Sequence, residues 1–346
     1  MQDFQSHTRS LDRRDQSARR LDFSEIPKVD IAALRGGAPA AAKAVGEALA
    51  EAMETVGFVY ITGHGVPDAE MAATWDAMRR YFALPDAEKR KLDIHQLARH
   101  RGYVPFKGLH ADPHAGGPDL QEAFELGLEL PDDDSDYLAG NMMYGPNVWP
   151  EEPADFRPAL STYFDNVHAI GRLMFRGVAL GLDLPPDWFE DKIRKPMTQL
   201  RAIHYPPQAE DDAEGREIGI GAHSDYECFT ILAASSPGLQ VRNRRGEWIE
   251  APPLPGAFII NIGDIMERWT NGRFVSTVHR VINRTGGERY SLAFFFGADY
   301  HATVECLPSC HGPGNPPKYP PVTAGEWTTG NIKAAYTYKA SSTARR

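Results

Sequence analysis

His223 and Asp225 stand two residues apart in Gly219-Ile220-Gly221-Ala222-His223-Ser224-Asp225. In an extended chain that spacing puts an imidazole and a carboxylate on the same face. Two donors need a third from elsewhere to hold a metal. His279, in the β-prone run Ser276-Thr277-Val278-His279-Arg280-Val281, lies 54 residues beyond Asp225 and supplies it. Two histidines and one carboxylate occupy one face of an octahedron and leave three adjacent positions open, the arrangement of mononuclear non-haem Fe(II) oxygenases. Catalytic zinc hydrolases use the same ligand types, so the donor set alone does not fix the metal. The same glycines fail as a dinucleotide fingerprint, because Ser224 takes the place of the third glycine and no long helix follows.

Ten residues after His279 comes Arg289-Tyr290-Ser291, again with two side chains on one strand face. A guanidinium grips a carboxylate through two parallel hydrogen bonds, and a serine hydroxyl can add a third. An anionic cosubstrate held there by its far carboxylate could chelate the metal with its other end.

Short β-rich runs carry these residues, at 199–205, 218–225, 229–233, 239–242, 258–262, 278–283 and 290–297. Strands at this spacing predict a sandwich or barrel. The preceding half reads as mainly helical. An Ala-rich amphipathic helix spans 39–56 and ends at Gly57, a second spans 68–82 with Asp68 as N-cap, and Asp86 caps a short third. The longest helical pattern covers 155–182. Strand-like pieces lie at 26–31 and 57–61, and residues 1–22 read as a disordered arm, polar and aperiodic. The expected organisation is therefore one unit over 23–346: a helical part at about 23–198, a β core at about 199–300 and a C-terminal segment at 301–346.

Beyond these spacings the sequence resembles the isopenicillin N synthase-like family of Fe(II)/2-oxoglutarate dioxygenases, from about Pro27 to Tyr338. The opening motifs Ile26-Pro27-Lys28-Val29-Asp30 and Gly57-Phe58-Val59-Tyr60-Ile61-Thr62-Gly63-His64-Gly65-Val66 are similar to the family's. So are Arg101-Gly102-Tyr103, Glu122-Ala123-Phe124-Glu125-Leu126-Gly127, Asn261-Ile262-Gly263-Asp264, Thr270-Asn271-Gly272, His279-Arg280-Val281 and Tyr319-Pro320-Pro321-Val322-Thr323-Ala324-Gly325-Glu326. The resemblance implies a mainly β fold with flanking helices, a double-stranded β-helix (jelly-roll) core behind a helical N-terminal half. It implies His223, Asp225 and His279 as iron ligands and Arg289 and Ser291 as the anchor of 2-oxoglutarate. Tyr205 sits where the family often places a tyrosine near the keto acid, although many members carry Asn where this chain has Ile203. The implied reaction consumes 2-oxoglutarate and O2 and yields succinate and CO2, with hydroxylation, desaturation or ring closure of a small molecule. The alternatives are a family oxidase that does not consume 2-oxoglutarate and a non-catalytic 2-oxoglutarate-binding sensor.

Strand parity aims Ala293 and Phe295 at the site with Arg289 and Ser291, and Phe229 with His223 and Asp225 if the strand stays regular. The loop region around Tyr103, Phe106, Met143 and Tyr144 offers a lid. Such a pocket, apolar with few charges, suits an aromatic or hydrophobic substrate. His64 reads as a buried structural histidine. Cys306, Cys310 and His311 lack a fourth zinc ligand, and Asp132-Asp133-Asp134-Ser135-Asp136 lacks the Gly and terminal Glu of a calcium loop.

A net charge of −10 over 346 residues argues against nucleic acid or an anionic membrane as partner. Three cysteines suit a reducing compartment, and no apolar run is long enough to span a bilayer. A cytoplasmic enzyme acting on a small molecule is the expectation, and the sequence leaves its oligomeric state open.

Overall fold

Alternation of side chains along the strands builds the molecule around two sheets and a cavity. The computed structural model describes residues 25–97, 99–109, 118–207, 219–283 and 285–335. The arm expected at 1–22 lies outside them. The larger sheet has eight strands, which we number in chain order: β1 (Lys28–Asp30), β2 (Phe58–Thr62), β3 (Gly102–Val104), β4 (Glu122–Gly127), β5 (Gln199–Tyr205), β7 (Phe229–Ala234), β10 (Phe258–Ile262) and β12 (Arg289–Phe296). Their spatial order is β1-β2-β10-β7-β12-β5-β4-β3. The smaller sheet runs β6-β11-β8-β9, from β6 (Ile220–His223), β8 (Leu239–Arg242), β9 (Trp248–Glu250) and β11 (His279–Val281).

Each central strand has a dry outer face and a cavity face. On β12, Phe294 and Phe296 point outward, where Phe294 meets Phe164 edge-on at 4.9 Å between ring centroids and Phe296 meets Phe175 at 5.4 Å. Both partners belong to the long helix Phe156–Gly181, which covers the outside of the sheet. Arg289, Ser291, Ala293 and Phe295 alternate with them and line the cavity. On β5 the same rule puts Gln199, Arg201, Ile203 and Tyr205 inside.

The helix Pro39–Thr55 starts with proline at its first position, whose fixed φ suits helix entry. It crosses the long helix at two glycines. A Cβ on Gly181 would stand 2.3 Å from the Gly46 carbonyl oxygen, so only glycine permits the approach. One hydrophobic cluster extends from Ile26 through both halves to Ile332.

Within the helical N-terminal half, β1 and β2 lie in the strand-like pieces expected at 26–31 and 57–61, whereas β3 and β4, which were not expected, also join the larger sheet. Single-strand periodicity is a weak signal when a strand has only three residues, as β3 does. Asp68 is the first residue of the helix Asp68–Phe82 rather than its cap, which is Pro67. There the carboxylate favours the positive end of the helix dipole instead of bonding a backbone amide. In the aspartate run, Asp134 caps the short helix Ser135–Leu138, and Lys195 pairs with Asp134 at 3.0 Å.

Candidate active site

The edge of the smaller sheet brings the three predicted metal donors together. His223 ends β6 and His279 begins β11, directly opposite each other in antiparallel register. The register shifts between His279 and Val281, an irregularity of the kind that re-aims side chains beside sites. Asp225 follows two residues after β6. Its Oδ1 lies 3.6 Å from His223 Nε2 and 3.7 Å from His279 Nε2. Among the described residues this is the one cluster of three His, Cys, Asp or Glu side chains whose donor atoms all lie within 4.8 Å of one another.

Hydrogen bonds behind the donors orient them. His223 Nδ1 donates to the Gly221 carbonyl at 2.8 Å and His279 Nδ1 to that of Thr277 at 3.1 Å. Each bond fixes the tautomer that leaves the Nε2 lone pair facing the cavity. Asp225 Oδ2 accepts from Asn261 Nδ2 at 2.6 Å and from the Thr230 hydroxyl, leaving Oδ1 for a metal.

The protonation states suit cation binding. Burial, then the His279 neighbour, pushes the His223 pKa down to about 4. Burial alone would raise the Asp225 pKa, but both histidines, Thr230 and Asn261 outweigh it and hold the group below its ordinary value. A neutral imidazole and an ionised carboxylate are the forms that ligate.

Across the cavity, β12 and β5 pair Arg289 with Tyr205 and Ser291 with Ile203. Arg289 is 1% exposed. Its Nε donates to the carbonyls of Pro237 at 3.2 Å and Ser236 at 3.3 Å, and its guanidinium lies over the Tyr205 ring at 4.7 Å. Its Nη1 has no hydrogen-bond partner among the described residues. A buried guanidinium nitrogen left without an acceptor is costly, so the site is built for an anion. The Ser291 hydroxyl donates to that of Tyr205 at 3.4 Å, placing two further polar groups beside it. The donor set and the unpartnered guanidinium together fit an iron ion and a dicarboxylate that spans from metal to arginine.

A cavity of about 120 Å³ joins these groups, and its far end was not anticipated. Gln199, Arg201, Glu125, Glu227 and His100 line it together with Phe295 and Ile332 of the C-terminal helix. The apolar pocket expected from the sequence is thus corrected. Arg201 and Glu125 face each other across β5 and β4, with Arg201 Nε 3.2 Å from Glu125 Oε1. Burial, then Asp225, pushes the Glu227 pKa up to about 8. The period of two that identified Tyr205 would also have found Gln199 and Arg201. Glu125 needed the β4–β5 register, and Thr230 needed the bend before β7.

Of the other predicted pocket residues, Phe295 lines the cavity. Phe229 does not: the chain bends at 224–228, β7 starts with new parity, and Phe229 packs on Phe175 and Phe296 while Thr230 turns inward. The residues expected as a lid also lie elsewhere. Tyr103 is buried and donates to Glu122, which also binds Lys89 at 2.6 Å and His204 at 2.8 Å. Phe106 is 40% exposed. Met143 is buried and its carbonyl accepts from Arg101 at 2.7 Å, while the Tyr144 hydroxyl accepts from the Tyr300 amide at 3.0 Å. Turn-rich loops gave no parity for Phe106, Met143 and Tyr144, and Tyr103 lies on β3, whose three residues are all buried and show no alternation. His64 bonds the Gly256 carbonyl at 3.1 Å, remote from the donors.

Comparison with known proteins agrees with this geometry. Residues 26–152 match the N-terminal region described for the non-haem dioxygenase in morphine synthesis, and residues 196–298 match the 2OG-Fe(II) oxygenase superfamily. A 2-oxoglutarate-Fe(II) type oxidoreductase of Emericella nidulans is 35% identical over 315 residues, covering 90% of each chain. A homoarginine-6-hydroxylase of Glycine max is 35% identical over 90% of this chain and 97% of its own. Among solved structures, a 2OG-Fe(II) oxygenase family protein of Caulobacter crescentus superposes with a TM-score of 0.78 at 30% identity, over 90% of this chain and all of the other. The chain belongs to the 2OG-Fe(II) oxygenase superfamily and is a jelly-roll oxidoreductase that uses Fe(II), 2-oxoglutarate and O2 to oxidise a small organic molecule.

Proposed function

We propose that His223, Asp225 and His279 hold the iron, and that Arg289, Ser291 and Tyr205 hold the distal carboxylate of 2-oxoglutarate. The unpartnered Nη1 of the buried Arg289, in the same cavity as the three donors, carries this assignment. Bound iron supplies the chemistry: O2 is reduced while 2-oxoglutarate loses CO2 to become succinate and the substrate C–H bond is oxidised. The chain's part is to orient the ligands through the Gly221 and Thr277 carbonyls, to keep Asp225 ionised and to present the substrate from the opposite wall. We place Phe295 on the substrate side.

We assign the enzyme to the cytoplasm, supported by free Cys228, Cys306 and Cys310 and a net charge of −10. The same charge disfavours nucleic acid and anionic membranes as partners. No described helix is long and apolar enough to cross a membrane. The soybean relative's name puts homoarginine among the compounds to try first. Succinate release on adding candidate compounds with Fe(II), 2-oxoglutarate and air tests the assignment. Stimulation should vanish in Asp225→Ala, and its persistence there would refute the ligand set.

A further inference from the structure

One row of side chains crosses the larger sheet beside the metal donors. Thr230 of β7, Phe295 of β12 and Gln199 of β5 are direct neighbours in register, and all three line the cavity. Thr230 ties the row to the metal site, because its hydroxyl donates to Asp225 Oδ2. Adjacent strands lie about 4.8 Å apart, so Gln199 stands roughly 10 Å across the sheet from Thr230. Arg289 is six residues along β12 from Phe295, roughly 20 Å at the rise of a strand. The row therefore lies at the end of the cavity away from the 2-oxoglutarate anchor.

Two side chains of this row are incomplete without a ligand. Gln199 is 4% exposed, and its carboxamide Nε2 has no hydrogen-bond partner among the described residues. An N–H buried without an acceptor is costly, so the position calls for an acceptor that a ligand brings. Phe295, directly opposite Gln199, is the one residue of β12 that is not fully buried, and it lines the same space. The charge of the acceptor is also constrained. Among the described residues lining this end, Arg201 is the one guanidinium or ammonium, and Glu125 pairs with it at 3.2 Å, both side chains being buried. A carboxylate here would meet a neutral amide and a cation already matched, a poor exchange for its hydration.

We propose that the substrate carries an uncharged carbonyl oxygen, of an amide, lactam or ketone, that accepts a hydrogen bond from Gln199 Nε2 while its carbon frame packs on Phe295. Gln199 is then a specificity residue: it fixes the distance from the carbonyl to the metal and so selects which C–H bond is oxidised. This inference rests on the iron and 2-oxoglutarate reading above and narrows its substrate.

Matched probes test it by anaerobic calorimetry on the full chain loaded with Fe(II) and 2-oxoglutarate. Acetophenone is compared with α-methylstyrene and cyclohexanone with methylenecyclohexane, pairs in which a methylene replaces the carbonyl oxygen. Benzamide is compared with benzoate, and L-homoarginine joins them as a carboxylate with no uncharged carbonyl. At least one carbonyl compound should bind roughly tenfold or more tightly than its partner, a difference of about 1.4 kcal/mol. Gln199→Met, similar in shape but without a donor, should erase that preference. Gln199→Leu serves in its place should Gln199→Met lack a cooperative melting transition. No binding by any carbonyl compound, equal binding of the partners, or tighter binding of benzoate or homoarginine overturns the proposal, as does a preference that survives loss of the carboxamide. The metal-to-ligand absorption band given by 2-oxoglutarate is recorded on the same wild-type samples. Its absence would indict the cofactor reading, whereas its presence without carbonyl preference would indict the substrate inference alone.

Discussion

At one end of the cavity the polar groups come in close sequence pairs: His223 with Asp225, and Arg289 with Ser291. At the other end Glu125, Gln199, Arg201 and Glu227 arrive from β4, β5 and the bend before β7, and Ile332 from the C-terminal helix. The first end is braced almost wholly by contacts that suit one fixed occupant, with histidine tautomers set by backbone carbonyls and one arginine nitrogen held open. The second end combines the buried Arg201–Glu125 ion pair with the buried Glu227 carboxyl, and Gln199 Nε2 there has no hydrogen-bond partner among the described residues. Fixed chemistry can be written into short motifs, whereas a substrate surface is assembled across strand registers. Substitutions at each end should therefore have separable effects.

The largest effect is expected from Asp225→Ala, which removes the anionic donor of the metal set. Iron retained after dialysis should fall well below one per chain and turnover should drop by at least ~100-fold, since even partners behind the ligands are worth roughly 10–100-fold. A variant that kept stoichiometric iron would move the metal elsewhere. Next, Arg289→Ala should weaken 2-oxoglutarate binding roughly thirtyfold or more, because losing a partly buried charged pair costs about 2–5 kcal/mol. Iron affinity should change far less, and calorimetry with each ligand distinguishes the two losses.

Asn261→Ala acts one step behind the metal. It removes the 2.6 Å hydrogen bond that holds Asp225 Oδ2, so iron affinity should fall roughly 10-fold with little change in substrate preference. Unchanged metal affinity would show that Thr230 alone orients the carboxylate. At the opposite end, Phe295→Ala should raise the substrate KM roughly tenfold, about 1.4 kcal/mol, with a smaller change in kcat. A variant that lost its cooperative melting transition would instead assign Phe295 to the packed core.

The smallest effect is in pH-dependent stability of the metal-free protein. Burial first, and then the His279 neighbour for His223 and the Arg101 guanidinium for His100, lowers His223 to about 4 and His100 to about 3, from an ordinary 6.5. Below about pH 6.5 the unfolded chain takes up protons that these folded histidines refuse, so their contribution to stability falls with pH. Glu227, raised to about 8 from 4.5, opposes them: folded, it keeps a proton that the unfolded chain releases, and its contribution is lost as pH rises toward 8. Urea midpoints at pH 7.5 and 5 should therefore drop further on acidification in Glu227→Gln than in wild type. Equal drops would contradict the buried carboxyl.

The sequence made the metal end legible because strand geometry converts a spacing of two into a shared face, and because family motifs flank it. The same parity found Phe295. It failed at Phe229, where the bend after Asp225 resets the alternation, and the lid reading failed at Tyr103, on β3, and at Phe106, Met143 and Tyr144, where loops and tertiary packing decide orientation. Glu125 illustrates the remaining limit. It sat inside a recognised motif, but its place opposite Arg201 follows from a pairing between strands 76 residues apart at that register. The long and strongly patterned helices were legible to within a residue or two, whereas β3 and β9, each of three residues, carried too little pattern to show that they complete the sheets.

Anaerobic titration of the Fe(II)-loaded protein with 2-oxoglutarate tests most directly that one cavity holds metal and keto acid together. The account predicts a metal-to-ligand absorption band that saturates at one 2-oxoglutarate per iron and is missing from Asp225→Ala under the same conditions. No band in the wild-type protein, or an equal band in Asp225→Ala, would contradict it.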